Sequence, residues 1–237
     1  MLDKIPFSFL GLDLLEPMAF VTNGLVALVC VMGFVKSHAL HLHKWKYFFL
    51  FFALASFSGA LSHLFWNYWG FYGKITPWFF GVLSSGFLMA AMIDLFSFRK
   101  STRLIFHLFI LAKGVFILTF AFAYWNFLFV AIDTILSLFV ACGIGTFILY
   151  FHYDRKDLIN MLIGFLIMLP SAAVFLLKLD LHLWLNREDL SHLLIASGLF
   201  FFTRSLENIA KSLNASGISN VDSGLESPVT RDMAVKA

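Results

Sequence analysis

Asp189 and His192 stand three residues apart in Asn186-Arg187-Glu188-Asp189-Leu190-Ser191-His192, at the mouth of the last apolar run of the chain. On a helix, residues i and i+3 share a face, and Glu188 with His192, at i and i+4, nearly shares it. A carboxylate beside an imidazole can orient the ring, or both can offer ligands to one metal ion. His63, in Ser58-Gly59-Ala60-Leu61-Ser62-His63-Leu64-Phe65-Trp66, is a second imidazole that another helix could supply. Two imidazoles, one or two carboxylates and a water in the open position make the ligand set of a hydrolytic zinc site; the metal lowers the pKa of that water to about 7. The expected metal ligands are therefore His63, His192, Asp189 and Glu188. A nearby carboxylate, Asp133 or Glu16, would be the proton shuttle. The plainer reading makes Asn186 a helix cap, with Glu188 and Asp189 answering the helix dipole. Each histidine is then satisfied by a neighbouring serine or carbonyl.

The elements that must position these groups are membrane helices. Of 237 residues, 60% are hydrophobic and 13% charged, and the mean hydropathy is +0.86. That is more apolar surface than a soluble domain can hide. The net charge of +3 is scattered, with no basic stripe for nucleic acid. Cys30 and Cys142 fall inside apolar runs and read as small buried hydrophobes. The N-terminus has Lys4 against Asp3, Asp13 and Glu16, and its apolar run is too long for a signal peptide, so it is read as mature protein.

A spanning helix needs about 20 apolar residues. Seven runs qualify, at roughly 17–35, 46–66, 77–97, 104–124, 127–150, 158–177 and 186–206. Pro17 and Pro77 suit helix starts, Trp125-Asn126 makes a short turn, and Pro170 predicts a kink. Lys36, Lys44, Lys46, Arg99, Lys100, Arg103, Arg155 and Lys156 all fall in alternate loops. The positive-inside rule then sets the N-terminus outside and the C-terminus in the cytoplasm. The expected fold is an all-α, seven-transmembrane-helix bundle over residues 1–209, with a disordered cytoplasmic tail over 210–237.

The last helix carries a length anomaly. Its run without acidic or basic side chains, with His neutral, is Leu190 to Thr203. At about 1.5 Å per residue this covers roughly 21 Å of a ~30 Å hydrocarbon core. Unless the bilayer thins, Asn186–Asp189 must continue the helix below the surface, lining a watered cavity walled by protein.

Intramembrane ionisable groups form two layers. The outer one holds Glu16, His63, Asp133, Asp189 and His192, with Asn23 further in. The inner one holds Asp94, His107 and Lys113. Lys113 needs a partner, either Asp94 or Asp133; such a pair would tie helices together or serve a proton or ion path. His38, His41 and His43 lie among lysines and read as a solvated basic loop.

A microbial rhodopsin is excluded, because the segment from His192 to Phe202 has no lysine for a Schiff base. The chain resembles the superfamily of seven-helix membrane hydrolases that contains alkaline ceramidases and the progestin/adiponectin receptors. The likeness rests on helix count, N-terminus outside, "SGALSHLFW" in the second helix and "DLSHLLIASGLF" in the seventh. It is also similar to a group of uncharacterised bacterial seven-helix proteins with Asp-x-x-His opening the last helix. The first resemblance implies zinc held by histidines of those two helices. Gly59 stands where that family has a serine, and Glu188 where it has a further histidine; Asp94 lies at the wrong end to match its third-helix aspartate.

Two functional classes remain open on the sequence. One is a zinc-dependent hydrolase cleaving a lipid amide or ester. The other is a transporter or receptor that uses the same polar residues as a ligand or proton site, with Lys113 central. A structural membrane protein whose polar residues only specify packing is the third possibility. Membrane lipids are the expected partners, and no nucleic acid is.

Overall fold

The computed structural model describes residues 6–182 and 184–215. A short antiparallel hairpin, β1 (Pro6–Phe9) and β2 (Leu12–Leu15), comes first. Seven long helical segments follow: α1 Pro17–Ala39, α2 His43–Leu64, α3 Ile75–Asp94, α4 Lys100–Ala123, α5 Leu128–His152, α6 Ile159–Leu176 and α7 Arg187–Ala215. Each of the seven is long and apolar enough to cross a membrane. The all-α architecture expected from the apolar runs is present, and the hairpin is an addition to it.

Several boundaries differ from expectation for local reasons. Pro77 is the third residue of α3, which begins at Ile75. The first-turn amides of a helix have no intrahelical acceptor, so a proline there costs no hydrogen bond. A helical turn at Trp66–Trp69 and a 3₁₀ turn at Gly70–Lys74 link α2 to α3. α5 is not uniform: Phe139–Gly145 is π-helical between two α-helical halves. α7 runs through Ala210 to Ala215, residues expected in the tail. The remainder of that tail, from 216 onward, lies outside the described residues.

The packing order follows from which helices touch. α1 packs on α2 and α7, α2 on α3, α6 on α7, and α3 on α5. The π-helical part of α5 reaches α6 and closes the ring. Gly164 of α6 and Gly198 of α7 permit the closest approach, since a Cβ on either would lie 2.5 Å from the other's carbonyl oxygen. α4 stands outside this ring, against α3 and α5, and only Ala121 of it is fully buried. Trp45, Phe48, Phe49, Phe202, Leu206 and Ile209 belong to one continuous buried cluster. The polar residues considered next gather at the Glu16 end.

Candidate functional site

Glu16 joins the hairpin to α1 and takes φ 51 and ψ 58, in the left-handed region. A left-handed backbone costs a non-glycine residue about 1–2 kcal/mol, and the following Pro17 disfavours the ordinary helical alternative. In this conformation Glu16 Oε2 lies 2.7 Å from Nδ1 of His63, in the last turn of α2. A carboxylate accepts, so Nδ1 carries the proton in this contact, and in the neutral ring the lone pair is on Nε2. Lys74 Nζ lies 3.1 Å from that nitrogen, and Glu188 Oε2 of α7 lies 3.8 Å from it. The side chains of Glu16 and His63 are 13% and 16% exposed, and that of Glu188 is 32% exposed, so the cluster is enclosed yet reachable. Among the described residues, Glu16, His63 and Glu188 are the group that brings three potential ligand atoms within 4.8 Å of one another.

Asp189 and His192 form a separate unit. The Asn186 side-chain oxygen accepts the backbone N–H groups of Glu188 at 2.8 Å and Asp189 at 3.1 Å, the capping geometry expected of it. Asp189 Oδ2 in turn accepts the Asn186 N–H at 3.2 Å. Its other oxygen lies 3.1 Å from Thr22 Oγ1, and that hydroxyl is 3.3 Å from His192 Nδ1. Asp189 is 1% exposed, so the helix does carry its acid into a protein-walled interior. The four expected metal ligands are thus not drawn into one set. His63 and Glu188 meet each other with Glu16, while Asp189 and His192 meet on Thr22.

Both units border a cavity of about 430 Å³ inside the helix ring. Its polar end carries His63, Lys74, Glu188 and His192, and its wall includes Val26, Phe52, Trp78, Leu138, Phe175 and Ile195. That size and that division into a few polar groups and an apolar wall are those of a small-molecule site. The first half of α5 and the facing part of α6 both line it, through Ala131 and Ile135 and through Ser171 and Ala172. These two stretches hardly approach one another, although Ala131, Ser171 and Ala172 are small. Phe127 and Phe175 meet edge to face at 6.3 Å at one end of the gap, and Phe139 and Phe165 lie 6.1 Å apart at the other.

Asp133, expected as a proton shuttle beside the metal, turns elsewhere. Its Oδ1 is 2.6 Å from Lys113 Nζ, and its Oδ2 accepts the Ser85 hydroxyl at 2.5 Å. Lys113 also donates to Ser137 at 2.8 Å. This is the buried lysine–aspartate pair that ties α3, α4 and α5. Asp94, the other partner considered for Lys113, is 2.8 Å from Lys44, which also lies 3.2 Å from His107. Glu16, the other expected shuttle, sits on His63 itself.

Sequence reasoning missed Thr22 and Lys74. Thr22 lies next to Asn23 in the first helix, and a hydroxyl there carries no metal or acid–base signature. Lys74 was visible as a cation on the sparsely charged side, amid Trp66, Trp69, Tyr72 and Trp78. No curated protein and no solved structure matches the chain. Residues 18–211, from the first turn of α1 to the last turns of α7, match one family, and the chain belongs to it: DUF6962, a family of unknown function.

Proposed function

We propose that this is a multi-pass integral membrane protein, N-terminus outside, that hydrolyses an amide or ester of a single-chain lipid with a zinc ion. The observation that carries the reading is the convergence of Glu16, His63 and Glu188 at the polar end of an apolar cavity. His63 Nε2 and the Glu188 carboxylate would bind the metal, with Glu16 as a further ligand or, from Nδ1, as the group that orients the ring. A zinc ion held there would supply Lewis acidity and lower the pKa of a water toward neutrality. Lys74, 3.1 Å from Nε2, is the cation that would stand beside a reacting carbonyl, and a metal on Nε2 would require its ammonium to shift from that nitrogen. The apolar wall holds the acyl chain, and the gap between α5 and α6 admits it sideways from the bilayer. The remote likeness to the ceramidase and progestin/adiponectin receptor superfamily supports the same reaction class.

The test is metal content and hydrolysis, measured together on protein purified without chelators. Wild type and His192→Ala should retain zinc, while His63→Ala and Glu188→Gln lose it together with cleavage of N-acyl and O-acyl lipids. Equal and negligible zinc in all four removes the metal from the account.

One observation favours the second class, a receptor or transporter. Lys74 Nζ, 3.1 Å from His63 Nε2, already sets a cation on the imidazole nitrogen that lies 3.8 Å from Glu188. In that reading the ammonium is resident and the cavity binds an amphiphile without cleaving it. Saturable lipid binding by a zinc-free, hydrolytically silent protein would select it.

A further inference from the structure

The tip of the hairpin is built against local preference. Leu10 and Gly11 connect β1 to β2 with φ 50 and φ 77, a two-residue turn in which both residues are left-handed. Such turns normally take Asn-Gly or Asp-Gly, because a Cβ is penalised there and a short polar side chain compensates. Here the first position is a leucine, and it is 86% exposed. The residues on either side of the turn, Phe9 and Leu12, are 59% and 40% exposed. The chain therefore accepts backbone strain to present an apolar tip that stays largely exposed.

The base of the hairpin is held firmly. Leu14 and Leu15 are buried. The Asp13 N–H donates to the Tyr68 hydroxyl at 3.0 Å, and Asn67 Nδ2 donates to the Asp13 carbonyl at 3.2 Å. An isolated two-stranded hairpin is marginal in water, so an anchored base with an apolar tip calls for an apolar partner at the tip. A single residue, Glu16, separates this base from the first helix long enough to span a membrane. The neighbouring link between α2 and α3 exposes Tyr68, Trp69, Phe71 and Tyr72, the aromatic composition of a membrane–water boundary.

From these features we propose that Phe9, Leu10 and Leu12 form a finger that inserts into the lipid interface beside the bundle. Its occupant is the boundary between headgroups and acyl chains, the depth reached by other apolar interfacial elements. Asp13, the nearest charge along the chain, stays at headgroup level on Tyr68. Because the finger's base runs directly into Glu16, its seating in the bilayer fixes the carboxylate that rests on His63. This inference uses the membrane reading proposed above but not its zinc chemistry.

The experiment is nitroxide accessibility on the full chain in phosphatidylcholine vesicles. Both natural cysteines are fully buried, so a label on Leu10→Cys reports one site. Leu108→Cys on the exposed face of α4 marks hydrocarbon, and Asp154→Cys marks water. The expected result is that the label at 10 behaves like that at 108, colliding with oxygen in preference to a water-soluble nickel chelate. If the label at 10 instead behaves like that at 154 while 108 is embedded, the finger is wrong and the membrane reading stands. If 108 itself is aqueous, the membrane reading fails and the finger with it. Leu10→Gly relieves the turn and removes the side chain. It should fold at least as well in detergent, yet lose the shift toward lipid of a nitroxide at Phe9→Cys; an unchanged shift also overturns the proposal.

Discussion

Glu16 and Glu188 approach opposite edges of one imidazole: Glu16 Oε2 lies 2.7 Å from His63 Nδ1, and Glu188 Oε2 lies 3.8 Å from His63 Nε2. The two acids come from opposite ends of the sequence, one from the junction of hairpin and first helix, the other from the start of the last helix. An imidazole proton held by one carboxylate leaves the other nitrogen free for a cation, which here is an ammonium and in the proposed enzyme a metal.

Thr22 is the joint of the second polar unit, and its loss should be felt. Thr22→Val keeps the shape and removes the hydroxyl shared by Asp189 and His192. A buried carboxylate deprived of a donor costs about 1–3 kcal/mol. Thermal unfolding in detergent should show that drop, whereas zinc content should stay at the wild-type level because His63 and Glu188 are untouched.

The Lys113–Asp133 pair should behave as an architectural contact. Lys113→Met strands a carboxylate that is 1% exposed at the side chain, at a cost on the order of 3 kcal/mol. Adding Asp133→Leu removes the stranded charge and should recover most of the loss. Comparing the unfolding midpoints of the single and double variants checks this; a double variant as unstable as the single would mean the pair does more than hold helices.

Ala172 faces the gap between α5 and α6. Ala172→Trp should plug it and block a photoreactive dodecanoyl ethanolamide from labelling the cavity residues Trp78 and Phe52, while the exposed face of α4 remains labelled. Ala172→Ser should label like wild type. Unaltered cavity labelling in the tryptophan variant would mean that ligands reach the cavity by another route.

The seven helices were legible because each is a run of apolar residues of spanning length, and a proline or a charged loop marks most ends. Asn186 was legible as a cap for the same local reason. Of the stretch before the short apolar run, the helix includes Arg187, Glu188 and Asp189, with Asp189 buried by protein and Glu188 on the cavity wall, while Asn186 stands before the helix as its cap. What the sequence could not specify was azimuth. Helical spacing places Asp189 and His192 on one face, but the rotation of α7 decides whether that face meets α1 or α2. It meets Thr22 on α1, while Glu188, one residue earlier and therefore about 100° around the helix, meets His63. Asp133 turned toward Lys113 for a related reason. An ammonium deep among apolar helices attracts a nearby carboxylate more strongly than a neutral imidazole does. The hairpin lacked any Asn-Gly or Asp-Gly signal, since its turn is Leu-Gly.

The central claim is a metal held by His63 without His192. Zinc K-edge X-ray absorption on the purified, zinc-loaded protein tests it most directly. The account predicts a first shell of oxygen and nitrogen at about 2.0–2.1 Å containing a single imidazole, whose signature disappears in His63→Ala and persists in His192→Ala. A shell with two imidazoles, or one that survives His63→Ala, would contradict it.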